Sequence, residues 1–531
     1  MQTPMRHILG VLAASLVTAL LASIIQTQLI LSELIGLGAP ITASIRTHST
    51  VTDLMTFAPI MMAIAVATLA PALLLAHWLA NKVSVPRMAL CAGAGMCGLW
   101  TVFWLMRSVI PMPAIPGTRD LLGQVLMAST GIVAGLLYAQ LTSPTLAVVS
   151  SQDRAKALLA VALAGIPAIL FFIGAPAGVE RPAVVDASRY KVQTLATGLR
   201  QPWSVALLPD GRALVTEMAG RLLAISSDGS TAQINLDGLP ALFQQGAVTG
   251  LMDVVLDPQF EHNGLLYLTM GYGKAGANGT QLVRARLVGN ALNDVRVLFK
   301  STLKPSAGNN GGRLAFLADE TLVLTVGDGS TRREEAQNRA NSLGSVVRLD
   351  RDGRPPADNP FIDQAGTAAE LYSLGHRNPQ GIAVDPATGD LLLSEHGPRG
   401  GDEINQIVPG GNYGWPIVTG GVDYPFAQVT PLRQLAGYED PVVQWTPSIA
   451  PAGLAVYRGA MFPDWRGNLL VPALKERAVR RVLRNGRQVV GQQLLLADLK
   501  ERMRDVKVAP DGSIYVLTDG PDARLLRIVE P

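Results

Sequence analysis

Residues 375–416 read GHRNPQGIAVDPATGDLLLSEHGPRGGDEINQIVPGGNYGWP. Two apolar alternations, Ile382-Ala383-Val384 and Leu391-Leu392-Leu393, are joined by an Asp-Pro…Gly-Asp turn, the pattern of a strand hairpin. The polar clusters on either side then fall in loops, where binding groups sit on a rigid strand scaffold. They hold Arg377, Asn378, Gln380, Glu395, His396, Arg399, Asp402, Glu403, Asn405 and Asn412 among glycines and prolines. Guanidinium, amide and carboxylate groups beside Gly-Pro backbone suit an oxyanion-rich ligand together with a hard cation.

The same unit recurs on both sides of this stretch. WSVALLPDGRALVTEMAGRLLAI, LMDVVLDPQFEHNGLLYLTMG and GRLAFLADETLVLTVGDG precede it; AGLAVYRGAMFPDWRGNLLVPAL and DVKVAPDGSIYVLTDG follow it. Anchoring the units on Val205, Val254, Leu314, Ile382, Leu454 and Val506 gives spacings of 49, 60, 68, 72 and 52 residues. Six self-similar all-β units of this length predict a six-bladed propeller, the longer spacings being absorbed in loops. A β-sandwich is the competing fold, and some 340 residues is long for one.

Composition changes near residue 180. Residues 1–180 carry 13 of the 85 charged side chains, and the other 351 residues carry 72. Apolar runs at 8–32, 55–80, 88–111, 121–141 and 156–176 are each long enough to cross a bilayer, which takes about 20 residues. The first is long for a cleaved signal peptide and more spans follow it, so it reads as an anchor. Arg6, Lys82, Arg87, Arg154 and Lys156 share one side if the N-terminus is cytoplasmic; Arg46, Arg107 and Arg119 oppose them, a modest bias. Five spans place the C-terminal part outside the cytoplasm, and four would reverse it; the run at 156–176 decides, and five are expected. The resulting organisation is a transmembrane α-helical bundle at 1–180, a linker at 181–194 and an all-β propeller at 195–531. Cys91 and Cys97, both in an apolar run, imply no disulfide framework. A net charge of +3 with no basic, aromatic-interleaved patch argues against nucleic acid. His77 and His48 offer no facing pair for a haem, and no C-x-x-C-H motif supplies an electron relay.

Over Leu195–Val529 the chain resembles the soluble aldose and glucose dehydrogenases that depend on pyrroloquinoline quinone (PQQ), the glucose/sorbosone dehydrogenase family. The resemblance rests on GLRQPWSVALLPDGRALVTE, GHRNPQG…SEHGPRGGDEIN…GNYGWP, PSIAPAGLAVY and RMRDVKVAPDG. It implies a six-bladed propeller that oxidises an aldose at C1 to the lactone, passing hydride to the quinone. By position, Arg377, Asn378, Lys475, Arg502, Arg504 and, less securely placed, Tyr424 match cofactor contacts. Four cationic groups among them suit a planar quinone with three carboxylates. The carbonyls of Gly397 and Pro398 match ligands of the calcium on the quinone oxygens. Glu403 and Tyr413 match a second, structural calcium site.

Two departures stand against these matches. The family's base is a histidine in His-x-Gly-Gly-Arg; here the segment is Asn309-Asn310-Gly311-Gly312-Arg313, so Asn309 takes the histidine's place. An amide can hydrogen-bond a sugar hydroxyl but cannot take its proton near neutral pH. A cofactor-binding glutamine is replaced by Val248. Asp328, in a Gly-Asp-Gly turn, is one candidate for a substitute base. The expectation is a membrane-anchored PQQ- and calcium-dependent sugar or alcohol dehydrogenase on the periplasmic side of a bacterial inner membrane. A membrane quinone is the acceptor this arrangement suggests. The alternative is an inactive propeller that binds PQQ, calcium or a carbohydrate.

Overall fold

A computed structural model describes residues 2–109, 115–143, 182–185 and 189–531, which divide into two units. In the first, α1 (Gln2–Gly36), α2 (Ala43–Thr56), α3 (Ala58–Leu79), α4 (Arg87–Val109) and α5 (Leu121–Leu141) form a helical bundle. All but α2 are long and apolar enough to cross a membrane. The predicted run at 156–176 lies outside the described residues. Asp120 caps α5, its Oδ1 accepting the Gly123 N–H at 2.6 Å. Small residues bring α4 and α5 into backbone contact. A Cβ on Gly131 would stand 2.3 Å from Gly95 O, and one on Gly135 2.0 Å from Cys91 O, a small-xxx-small seam. The unit also takes in Val422–Pro431, whose Gln428 N–H donates to the buried Asp53 carboxylate at 3.0 Å.

One expectation is corrected here. A histidine pair does face across the bundle: His7 of α1 and His77 of α3 have ring centroids 4.4 Å apart, and His7 Nδ1 lies 2.7 Å from Tyr138 Oη. Rings in direct contact leave no space for a macrocycle between them. His7 lies in the polar flank ahead of the first apolar run, which is why a search within the runs missed it.

The second unit consists of six sheets. Blades 1 to 5 have innermost strands at Pro202–Leu207, Leu251–Leu256, Gly311–Phe316, Pro379–Val384 and Ala455–Val456. Blade 6 starts at Met503–Val508 and borrows its outer strand, Lys191–Leu199, from the beginning of the unit. Each innermost strand contacts the next, and blade 6 contacts blade 1, closing the ring. Val205, Val254, Leu314, Ile382 and Val506 all sit on innermost strands and Leu454 sits one residue before one, so the predicted repeat is the blade. Within blade 1 the Pro-Asp-Gly turn closes as expected, Gly211 taking φ +86° and the Leu208 N–H donating to Arg212 O at 2.8 Å.

The stretch read as a linker supplies two strands. Ala183–Val184 pairs in parallel with Gln493-Leu494, and Lys191–Leu199 pairs with Ala523–Val529. Lys191–Leu199 is exposed along most of its length, so no apolar alternation announced it.

At the axis, Arg313 of blade 3 reaches into a buried ring of acceptors. Its Nη1 lies 3.1 Å from Asp505 Oδ1 and 3.5 Å from Asp253 Oδ1, and its Nε donates to Gln380 O at 2.7 Å. The guanidinium lies 4.0 Å from the Trp203 ring centroid. One side chain thereby ties blades 1, 2, 4 and 6 to blade 3.

Candidate active site

The loop before blade 3 carries Asn309 in the left-handed region, φ +48°, which asparagine tolerates better than most residues. Asn309 Nδ2 donates to Asp328 Oδ1 at 2.8 Å, and the Ser330 N–H donates to the same oxygen at 2.7 Å. Trp415 Nε1 donates to Asp328 Oδ2 at 2.8 Å. Burial pushes the Asp328 carboxyl up, with the Arg377 charge and these donors opposing it. Asp328 is thus a buried partner of position 309 as well as a turn residue. Val248 is exposed, and its carbonyl accepts from Asn310 Nδ2 at 3.0 Å, so the two departures from the family pattern adjoin.

Arg377 stands over the same tryptophan, 5.5 Å from its ring centroid. Its Nη1 donates to His396 O at 3.1 Å and Gly397 O at 2.9 Å. Asn378 Oδ1 accepts from Gln380 Nε2 at 3.2 Å. Asp402 fixes the Gly397-Pro398 turn: its Oδ1 accepts the Gly397 N–H at 3.0 Å, while Oδ2 takes the N–H groups of Ile449 and Ala450, both at 2.7 Å. Lys475 is exposed and held by its backbone N–H on Ile449 O at 3.0 Å. Arg502 and Arg504 share one carboxylate: Asp519 Oδ2 accepts from Arg502 Nε at 2.6 Å and Oδ1 from Arg504 Nη2 at 2.8 Å. The half-buried His396 imidazole lies within the fields of both Arg377 and Arg504 and of Asp402; desolvation lowers its pKa, and its Nε2 sits 2.7 Å from Pro451 O.

The structure therefore gathers Asn309, Arg377, Asn378, Gly397 and Pro398 around Trp415 and His396, with Lys475 and Arg504 tied in through the 449–451 loop and His396. Tyr424 is half exposed in the Val422–Pro431 segment, which groups with the helices. Asp328, Trp415, Asp402 and Asp519 went unassigned or underweighted in sequence, because their partners lie far from them along the chain, in the case of Trp415 and Asp328 in another blade.

Arg377, His396, Gly397 and Trp415 also line a cavity of about 10 Å³, the space of one water-sized sphere, together with Glu395, Glu403, Tyr413, Gly401 and Thr419. Glu395 accepts from His376 Nδ1 and Asn405 Nδ2, both at 2.9 Å, and from the Arg377 N–H at 2.7 Å. The Glu403 carboxyl is pushed up to about 8, first by burial and then by the Glu395 charge. Two carboxylates held together with room for one sphere fit a hard cation. Tyr413 lines the cavity, but its hydroxyl is engaged with Gln406 O at 2.6 Å and the Val408 N–H at 2.9 Å.

The glucose/sorbosone dehydrogenase family model matches residues 199–527. An aldose sugar dehydrogenase of Escherichia coli is 38% identical over 353 residues, covering 65% of this chain and 93% of that protein. A quinoprotein glucose dehydrogenase B of Acinetobacter calcoaceticus is 27% identical, covering 66% and 89%. The apo-form crystal structure of the Escherichia coli soluble aldose sugar dehydrogenase superposes with a TM-score of 0.62 at 38% identity, covering 64% of this chain and 100% of that one. The PQQ-bound aldose sugar dehydrogenase of Streptomyces coelicolor gives 0.52 at 27% identity, covering 66% and 99%.

Proposed function

The chain belongs to the glucose/sorbosone dehydrogenase family, and from that premise we propose that it oxidises the C1 hydroxyl of an aldose, or of a related sugar or alcohol, with PQQ and calcium. The observation that carries this reading is a surplus of cations. Arg377 donates to carbonyls, Lys475 is exposed, and Arg502 and Arg504 share a single carboxylate. A tricarboxylate such as PQQ complements that surplus. Arg377, Asn378, Lys475, Arg502 and Arg504 would hold it, with Gly397 O and Pro398 O toward its calcium; the Gly397 carbonyl keeps a second lone pair beside the one Arg377 uses. Glu395 and Glu403 would hold the second calcium.

When bound, PQQ would accept hydride from the sugar C1 while calcium polarised the quinone carbonyl. Asn309, oriented by Asp328, would hydrogen-bond the reacting hydroxyl. The four apolar helices, with the fifth run at 156–176, would anchor the propeller on the periplasmic face of the inner membrane, where a membrane quinone would take the electrons. The reading of a propeller that binds the cofactor without turnover is favoured by one observation: Asn309 stands where a base is needed. The test is PQQ titration of the detergent-purified protein, with and without calcium, followed by dye-linked aldose oxidation. PQQ-dependent turnover is expected. Binding without turnover leaves the binding-protein reading, and absence of binding overturns both.

A further inference from the structure

Among the described residues one lysine is buried, Lys304, at 2% exposure. Its backbone pairs with Asn278, and its side chain runs beneath Gly329, where an added Cβ would stand 2.5 Å from Lys304 Cδ. Nζ donates to Asn278 Oδ1 at 3.0 Å, Ser306 O at 2.7 Å and Gly308 O at 3.0 Å. An ammonium has three N–H donors, and each here has one acceptor. Two of these acceptors are carbonyls of the loop that presents Asn309. The charged group facing Nζ is Asp328, the partner of the Asn309 amide. Burying an ammonium without direct contact to a carboxylate is unfavourable unless every donor is satisfied. A methionine would fill similar space without that requirement, so the charge rather than the bulk accounts for a lysine here.

We propose that Lys304 is a positioning residue: its ammonium is the template around which Ser306–Asn310 folds, and it thereby holds the Asn309 amide on Asp328 with Oδ1 left to accept from the substrate. The consequence for catalysis rests on the oxidoreductase reading above; the consequence for the loop does not. A neutral amine has two N–H groups and a lone pair, so deprotonation takes the donor from one of the three oxygens. Burial lowers the Lys304 pKa to about 7, with Asp328 opposing the shift. The template is therefore complete at pH 6 and lost at pH 8.5.

Hydrogen exchange read by mass spectrometry over 306–310 tests this in the full-length, cofactor-free protein in detergent. Rates at pH 6 and 8.5 are corrected for the intrinsic pH dependence of exchange, in the parent and in Lys304→Met. In the parent, protection should fall on the order of tenfold between the two pH values, the equivalent of one lost charge-assisted hydrogen bond. Lys304→Met should show the low protection at both. In the Asn309→His background with PQQ, Lys304→Met should lower kcat on the order of 10²-fold, as for a reacting group displaced by about 1 Å, with PQQ affinity unchanged. If Lys304→Met does not fold, the parent's pH series decides by itself. Equal protection at both pH values in the parent overturns the proposal, as does unchanged protection in Lys304→Met. The expected exchange pattern without turnover in any variant would instead sink the oxidoreductase reading and leave the template standing.

Discussion

Replacing Asn309 by histidine tests how this site handles a proton. Asn309 Nδ2 lies 2.8 Å from Asp328 Oδ1, so an imidazole there would set one ring N–H on that carboxylate and turn the other nitrogen to the cleft. The backbone permits it, since histidine shares asparagine's tolerance of the φ of +48° found at this position. A positioned general base contributes about 10²–10⁴-fold, or about 2.7–5.4 kcal/mol of barrier. The assay is kcat for dye-linked aldose oxidation with saturating PQQ and calcium, from pH 5.5 to 8.5. Asn309→His should raise kcat within that range, and the gain should appear as pH rises through the imidazole pKa, because the neutral ring is the base. The Asp328 carboxylate favours the imidazolium while burial and the Arg377 charge oppose it, so the midpoint of the gain reports which of these prevails. Asn309→Gln, an amide without basicity, should bring no gain, and Asp328→Asn should remove most of the gain from Asn309→His. Unchanged kcat in Asn309→His with PQQ demonstrably bound would refute the assignment of position 309 to proton transfer.

Other outcomes follow from the same contacts. Arg313→Met strands Asp253 and Asp505 at the axis and should cost about 3–5 kcal/mol in urea unfolding followed by tryptophan fluorescence; a loss below about 1 kcal/mol would show that the ring does not depend on it. Calcium should raise the melting temperature of the parent but not that of Glu403→Gln, as expected for a ligand held by the folded state. Val248→Gln, which returns the family's amide beside the Asn310 loop, should tighten PQQ binding by up to about tenfold, one hydrogen bond's worth, in a cofactor absorbance titration. Asp257 is buried; burial raises its pKa, but hydrogen bonds from Arg351, Asn263 and the Gln259 N–H win and hold it below the ordinary carboxylate value. A depressed carboxylate stabilises the fold above its unfolded pKa of about 3.9. The stability difference between parent and Asp257→Asn should therefore be full at pH 7 and begin to shrink as pH falls below about 4; a difference that does not shrink there, or that grows, would contradict this.

The blades were readable because each begins with an apolar alternation and a turn that need only local chemistry. The strand at Lys191–Leu199 was not readable, since its exposed side chains carry no periodic signal and its partner is Ala523–Val529, at the far end of the chain. The cationic residues of the site stood out as a set, but which carboxylates answer them did not. Asp519 reaches Arg502 and Arg504 from the next strand of the blade, and Trp415 reaches Asp328 from another blade. Nothing in the sequence around Lys304 announces that the loop after it curls around its ammonium. His7 was missed because it lies outside an apolar run, whereas helix packing decides what it faces.

The ring's closure also sets an order in time. Lys191 pairs with Val529, and Leu199 with Ala523, so the first full-length strand of the propeller to be synthesised waits for the last. At about 5–20 residues per second, that wait is roughly 20–70 s on the ribosome. Throughout it, Lys191–Leu199 is an unpaired edge and blade 6 does not exist. Arg504, contributed by that blade, joins the cationic set only after the other five blades have been synthesised. A nascent chain stalled before residue 503 therefore has neither a closed ring nor the complete set of cations, and loading of an anionic cofactor waits for blade 6.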